Sequence, residues 1–511
     1  MRKRLRGLFA LLLPLLLLSG CWQEGPQEEI EDILPPFQEE EEPEEEEGAV
    51  LPERFALPYV PGQSLDPVDC ADGVQQVAAS LLYEGLFRLD GRFEPQPCLC
   101  ISYTHDEAAG RYTFTLRSGV QFSDGSPLTG RDVKATLDRA RTSARYASRL
   151  SGISSISANS DSVTISLTSP NTALPALLDV PIVKSGGQDT IAPMGTGPYF
   201  YVEEETGAYL IANQSWWRGE NQPVERIALV GAPDSAAMLY RFSSHEVQLI
   251  TADLTGVQAV SATGSVDSVD AETTVLQYVG CNTARAPLDS PSLRRALSAG
   301  IDRLNVTVAF LSGHGRPAAF PVPPSSPLYP ADLETAFSLD GFAAALTESG
   351  YVSESPLTLL VNEENSFKKS IAEYLAKSWT AGGVTVEVRA LPWEEYTAAL
   401  AAGDFDLYYG ETRLTADWNL KSLLEPGGSL NYGRWSHPDT SRLLAELAGA
   451  QDRTAAMRAL CTHLKEQAPI LPVCFKSVSL LTQAEVVEGI SPTAAEPFYN
   501  LGQCVIRLKE P

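Results

Sequence analysis

The side chains that could carry covalent or metal chemistry are few in this 511-residue chain, and most are spaced against it. The five histidines, His105, His245, His314, His437 and His463, include no HExxH pair, so no helix presents two of them to one zinc ion. His314 stands alone in the loop Gly313-His314-Gly315. Of the eight cysteines only Cys98 and Cys100 lie close in sequence, with no CxxC and no neighbouring histidine, so no metal site is expected. On a strand these two would share a face, which reads as one core thiol and one incidental one. Gly195-Thr196-Gly197 runs into Pro198 and lacks a third glycine, so it is no dinucleotide fingerprint, and no cofactor is expected. No GxSxG elbow occurs. A Ser-His-Asp set built from distant segments stays open, which keeps a hydrolase among the alternatives.

One cysteine does have a chemical context. Arg2, Lys3, Arg4 and Arg6 precede the apolar run Leu8 to Leu18, which is too short for a membrane span and the right length for an export signal. It ends in Leu18-Ser19-Gly20-Cys21, small residues before a cysteine, as in a bacterial lipobox. The expectation is a leader over residues 1–20, cleaved before a lipidated Cys21, with the chain anchored to the outer face of the cell membrane. Seven cysteines then remain, an odd number that cannot pair completely. Residues 22–47 hold 13 acids and no base and read as a solvated tether, taken as 21–50. Losing the leader's four bases takes the formal charge from −27 to −31. A nucleic-acid binder would need a basic face, so that class is excluded.

The elements that must position any site follow from periodicity. Residues 77–87 read as a helix stopped by Gly85. Tyr112, Phe114 and Leu116 alternate with polar residues as a half-buried strand, as do Val163, Ile165 and Leu167. Residues 131–142 return to helical spacing. Ser290-Pro291 caps a helix in which Leu293, Leu297, Ile301 and Leu304 recur. Then come an apolar strand at 357–361, a helix through Phe367, Ile371 and Leu375 stopped by Gly382-Gly383, a strand Val384, Val386, Val388, a helix from Trp393 to Ala402 and a strand at 405–409. That alternation implies a wound α/β sheet with right-handed crossovers. The first half has a different texture, which suggests two lobes with a cleft between them.

Several segments, in order, resemble the family 5 extracellular solute-binding proteins of ABC transporters. They are Leu65-Asp66-Pro67; Leu82-Tyr83-Glu84-Gly85-Leu86-Phe87; the run from Tyr112 through Phe122-Ser123-Asp124-Gly125 to Leu128-Thr129-Gly130-Arg131-Asp132-Val133; Gly195-Thr196-Gly197-Pro198-Tyr199; Asn213 with Trp216-Trp217; and Leu293-Arg294-Arg295-Ala296-Leu297 with Ile301-Asp302-Arg303. The resemblance spans residues 60 to 505. It implies an α/β periplasmic-binding-protein-like fold of the class II type. The first lobe would occupy 51–275, with an extra subdomain over 76–189, the second lobe 276–482, and 483–511 would return to the first. It also implies a hinge that closes on a ligand and no enzymatic activity. The partners would be a peptide or similar small polar solute, an ABC permease with its ATPase subunits, and the membrane through the lipid anchor. The chain would act as a monomer. A ligand sensor or surface interaction protein on the same fold is the alternative of another class.

The same resemblance places the ligand contacts. In peptide binders of this family a tryptophan and an acidic residue line the cleft, and the aspartate pairs with the peptide's amino terminus. The matching stretch here runs from Trp393 to Trp418 and makes Asp417 the aspartate, with Trp393, Trp418 and Tyr432 as aromatic candidates. A carboxylate–ammonium bond suits such a ligand. This chain has Arg413-Leu414 where the family has Gly-Trp, and Glu411 lies nearby. Arg413 with Glu411 would suit a zwitterionic or carboxylated ligand.

Overall fold

The computed structural model describes residues 51–70, 73–187, 190–255 and 265–510. The leader, Cys21 and the tether lie outside the described residues. Alternating strand patterns and helical runs resolve into an α/β fold of two lobes. The first lobe holds two four-stranded sheets. One orders its strands Ala56–Tyr59, Arg226–Gly231, Gly207–Ala212 and Tyr199–Glu204; the first pair is parallel and the others antiparallel. The other is antiparallel, in the order Cys100–Asp106, Arg111–Leu116, Ser162–Leu167 and Ile153–Ala158. Tyr112, Phe114, Leu116, Val163 and Ile165 fill one face of it, as the alternation requires. Helix Gly130–Ala140 covers that face through Val133 and Leu137. It starts where Thr129 and Asp132 form a capping box, and Asp132 also binds the backbone N–H and hydroxyl of Ser185.

A seven-stranded sheet is shared by the two lobes. The strands run in the order Leu249–Ala252, Ile470–Gln483, Val266–Cys281, Leu407–Arg413, Leu357–Asn362 and Val386–Leu391, with Gly315–Pro317 added on Ile470–Gln483. Leu357–Asn362 is parallel to both of its neighbours, and helices Ser366–Ala381 and Trp393–Ala402 make the crossovers. Its two longest strands, Val266–Cys281 and Ile470–Gln483, pair antiparallel along nearly their whole length. Their register shifts between Glu272 and Leu276 and again between Gln277 and Tyr278. A ladder broken at its centre twists and bends there more easily than at its ends.

Local departures from the sequence expectation have physical causes. The first helix is Gly73–Leu82 rather than 77–87. The chain leaves it early to carry Glu84 into the core, and Gly85 passes so close to Asp179 that a Cβ would sit 2.8 Å from its carbonyl carbon. The run from Leu293 to Leu304 is two helices, Pro291–Ala299 and Arg303–Leu311. Asp302 caps the second by accepting a 3.0 Å bond from the Asn305 N–H, and Leu304 is exposed rather than core. The strand expected at 405–409 is Leu407–Arg413, so it delivers Glu411 and Arg413 at its far end. Along it, Gly280 and Gly410 face Tyr408 and Tyr278 across the ladder, and any Cβ there would collide with those rings. Among the described residues no helix is long and apolar enough to cross a membrane.

Candidate functional site

The best-marked sequence motifs of the first lobe converge on one buried carboxylate. Glu84 is buried and accepts hydrogen bonds from Trp217 Nε1 at 2.7 Å, Trp216 Nε1 at 3.3 Å and Thr196 Oγ1 at 2.9 Å. Arg218 lies 3.6 Å away as its counter-ion. Burial pushes the Glu84 carboxyl up, and the hydrogen bonds and Arg218 oppose that. Gly195 and Gly197 are glycines because their Cα atoms press on the last turn of the helix: a Cβ on Gly195 would lie 2.0 Å from the Leu82 carbonyl oxygen. Asn213 ties this turn to the next strand by donating to the Gly197 carbonyl at 3.1 Å. These residues hold the lobe together and engage both Glu84 oxygens.

The charged stretch of the second lobe meets the first lobe at a different kind of junction. Asp417 is buried, and both of its oxygens are engaged. Oδ2 accepts from Asn171 Nδ2 of the first lobe at 2.8 Å, and Oδ1 accepts from Thr415 Oγ1 at 2.5 Å. Arg453 donates to the Asp417 carbonyl at 2.6 Å, while its Nε and Nη1 are buried without a hydrogen-bond partner among the described residues. Arg149 forms an ion pair with Asp179. Burial pushes its pKa down to about 10, against the pull of Tyr146 and Asp417. Next to Asp417, Trp418 is core rather than cleft: it is 3% exposed and packs edge-on against Phe93 of the first lobe, with ring centroids 5.7 Å apart. Thr172 completes the seam by bonding the carbonyls of Ala448 and Ala450.

The other predicted contacts are spread around this junction. Glu411 does not pair with Arg413; Lys368 Nζ lies 3.3 Å from it, and Gln277 donates to its carboxylate. The Arg413 side chain is solvent-accessible and has neither hydrogen bond nor ion pair among the described residues. Crowding by surrounding protein and the like charge of Arg145 push its pKa down, while Glu411 pulls it up. Trp393 opens its helix with 55% of its surface exposed and its ring stacked on Tyr396. Tyr432 is half-buried and packs edge-on against Tyr408. The sequence reading missed Asn171, Arg145, Arg149 and Arg453. Only the arginine pair left a signal: Arg145 and Arg149 are four apart and both lie over the Tyr146 ring.

The structure also assembles one Ser-His-Asp set, and its geometry is wrong for a nucleophile. Asp270 and Ser479 both approach Nδ1 of His314, at 3.0 and 3.4 Å, and the Ser479 hydroxyl donates to Asp270 at 2.7 Å. A triad needs the serine on the opposite ring nitrogen and exposed, whereas Ser479 is fully buried. Cys98 and Cys100 are both buried, so neither is incidental. Burial raises both thiols, Cys100 to about 11. Among the described residues no group of three or more His, Cys, Asp or Glu side chains could hold a metal ion.

Two lobes on a pair of long shared strands, with charged and aromatic side chains gathered where the lobes meet, define a solute-binding protein. The family of bacterial extracellular solute-binding proteins, family 5 Middle, matches residues 94–426, and the chain belongs to it. This makes it a substrate-binding protein of the ABC-transporter type, working on the extracytoplasmic side. The chain is similar to the glutathione-binding protein GsiB of Shigella flexneri, 24% identical over 443 residues, which cover 80% of this chain and 86% of that one. It resembles the solved structure of MppA, a periplasmic murein tripeptide-binding protein in its unliganded open form, with TM-score 0.74 and 21% identity over 90% and 99% of the two chains. It resembles equally a nickel ABC transporter protein of Bacillus halodurans, at TM-score 0.74 and 21% identity over 88% and 99%. The likeness to these solved structures is one of fold.

Proposed function

We propose that the chain captures a peptide or similar small polar solute outside the membrane and delivers it to an ABC permease whose separate subunits hydrolyse ATP. The chain itself performs no chemistry. The observation that carries this reading is the strand pair Val266–Cys281 and Ile470–Gln483, which is continuous across both lobes and broken in register at its centre. Bending there moves the second lobe, with Arg413, Glu411 and Asp417, against the Asn171 side of the first. We take the first lobe as 51–275 with 483–511, and the second as 276–482. The two relatives named for glutathione and a murein tripeptide favour a short, charged, peptide-like solute. Closure must come from contacts that the solute makes only when the lobes meet. Trp393, Glu411 and Arg413 are the side chains with surface left to offer it. Asp417 can take an amine only if Asn171 gives way.

Calorimetric titration of the purified protein with glutathione and with a panel of tripeptides tests the reading. Micromolar or tighter binding of at least one is expected, and a flat titration across the panel refutes it. Cys21 would carry the lipid anchor, and the protein would work as a monomer. Cys21→Ala should move the protein from the membrane to the soluble fraction; a variant that stays with membranes refutes the anchor.

A further inference from the structure

One motif of the sequence has no part in solute capture: the lone histidine of Gly313-His314-Gly315. It lies at the hinge, where the strand it leads into and the ring it carries engage the two long shared strands on opposite sides of the break in register. The strand, Gly315–Pro317, pairs with Lys476, Phe475 and Cys474. Phe475 and Cys474 are the partners of Leu276 and Gln277, on the second-lobe side of the break. This backbone has little play: a Cβ on Gly315 would lie 2.9 Å from the Phe475 carbonyl oxygen, and the His314 carbonyl accepts the Ser477 N–H at 3.1 Å. The ring reaches the other way. Its Nδ1 lies 3.0 Å from both oxygens of Asp270, and Ser479, the cross-strand partner of Asp270, donates to the same carboxylate at 2.7 Å. A carboxylate only accepts, so Nδ1 carries a proton and donates it. Asp270 and Ser479 lie on the first-lobe side of the break, where Ser479 also pairs with Ala252 of the first-lobe strand Leu249–Ala252. Lys476, the one base on the two long strands, is ion-paired to Asp253 at 2.5 Å, so the cationic partner of Asp270 among the described residues is His314 alone.

Resting on the reading of this strand pair as a hinge, we infer that His314 and Asp270 form a hinge strut, which ties the second lobe to the first across the break and holds the lobes together. In this structure the strut is made along with the seam contacts from Asn171 to Asp417 and from Thr172 to Ala448. A bend at the break carries Gly315–Pro317 with the second lobe and Asp270 with the first. A hydrogen bond of 3.0 Å is lost once it stretches by about 0.6 Å, so bending breaks it. The buried Ser479, which cannot serve as a nucleophile, has a role here: its bond to Asp270 orients the carboxylate for the ring. His314 thus acts on capture without touching the solute. It favours closure by the same factor whichever solute is bound, and so sets how long the protein stays shut rather than what it admits.

Single-molecule fluorescence between probes on the two lobes of the full-length, unliganded protein tests the strut, and it needs no known solute. Wild type should show a joined and a separated population. His314→Ala and Asp270→Ala should each lower the ratio of joined to separated molecules about fivefold or more, and the double variant should lower it no further than either alone. An asparagine amide can stand where Nδ1 stands, so His314→Asn should keep most of the wild-type ratio and guards against a variant that merely folds badly. An unmoved ratio in His314→Ala, or effects that add in the double variant, overturns the strut and leaves the hinge standing. One fixed separation in wild type, unchanged by glutathione or the tripeptides, overturns hinge and strut together. If none of those solutes binds but two populations are present, the choice of solute fails and the strut is still decided by the ratio. Any solute that does bind should dissociate faster from His314→Ala, by a common factor; a factor that differs between solutes would place His314 in the solute site and overturn the proposal.

Discussion

Two clusters of this protein place tryptophans or arginines around a buried carboxylate, and they are built on opposite principles. Around Glu84 every donor belongs to the same lobe, and the carboxylate is closed off by Trp216, Trp217, Thr196 and Arg218. Around Asp417 the donors come from both lobes, and arginines gather without enough acid to balance them. The first arrangement fixes a shape. The second can be made and unmade, because its partners separate when the lobes do. A buried polar cluster that is fully satisfied within one lobe is structural, whereas one completed only across a seam reports on the seam.

The contrast predicts different failures. Glu84→Ala should cost the most, about 3–5 kcal/mol in a denaturant titration, because it leaves Arg218 and two indole N–H groups without their acceptor. Glu84→Gln should cost less. The pH dependence follows from the raised Glu84 pKa. The folded state holds this proton more tightly than the unfolded chain, so the charged form is penalised at neutral pH. The penalty fades as pH falls through the folded pKa toward the ordinary glutamate value, about 4.3. Wild type should therefore gain stability relative to Glu84→Gln between neutral pH and about pH 5. A constant difference across that range would show that Glu84 is not perturbed.

At the seam the expected losses are smaller and of another kind. Asp417→Ala should cost about 1–3 kcal/mol, since Arg149 and Arg453 lose a nearby acid. Asn171→Ala should cost about 1 kcal/mol. The double variant should fall short of the sum, because the two side chains share one hydrogen bond across the lobes. A fluorescent pair placed on the two lobes should report a more open average separation in each. Full additivity with unchanged separation would reduce Asp417 to a local cap.

The legibility of the chain followed the same division. Strands such as Arg111–Leu116 and the crossovers from Leu357 to Leu407 were readable because period and glycine stops are local. The motifs around Glu84 were readable as family marks, but not as one carboxylate's ligands, since they lie at residues 82–87, 195–199 and 213–217 and meet only in the fold. Gly300 and Asp302 together break a helical pattern whose hydrophobic spacing ran on unbroken. At the seam, position alone made Trp418 a cleft residue, whereas packing against Phe93, 325 positions earlier, buries it. Arg145, Asn171 and Arg453 lie in turns or at the start of a helix, and no periodicity announces which lobe they will face.

The smallest expected effect on stability is the sharpest test of the comparison. Trp393 is more than half exposed, begins its helix, and touches Tyr396 by stacking alone. Its removal leaves no buried donor unmet and no cavity, so Trp393→Ala should change stability by no more than about 0.5 kcal/mol. Its exposed ring is nonetheless free to meet a bound solute. If the bound solute covers it, affinity should fall about fivefold or more, the loss of roughly 1 kcal/mol or greater that marks an aromatic contact. The Glu84 variants should show the reverse, with stability lost and the affinity of the remaining folded protein kept. Unchanged affinity in Trp393→Ala would take this tryptophan out of the proposed binding face.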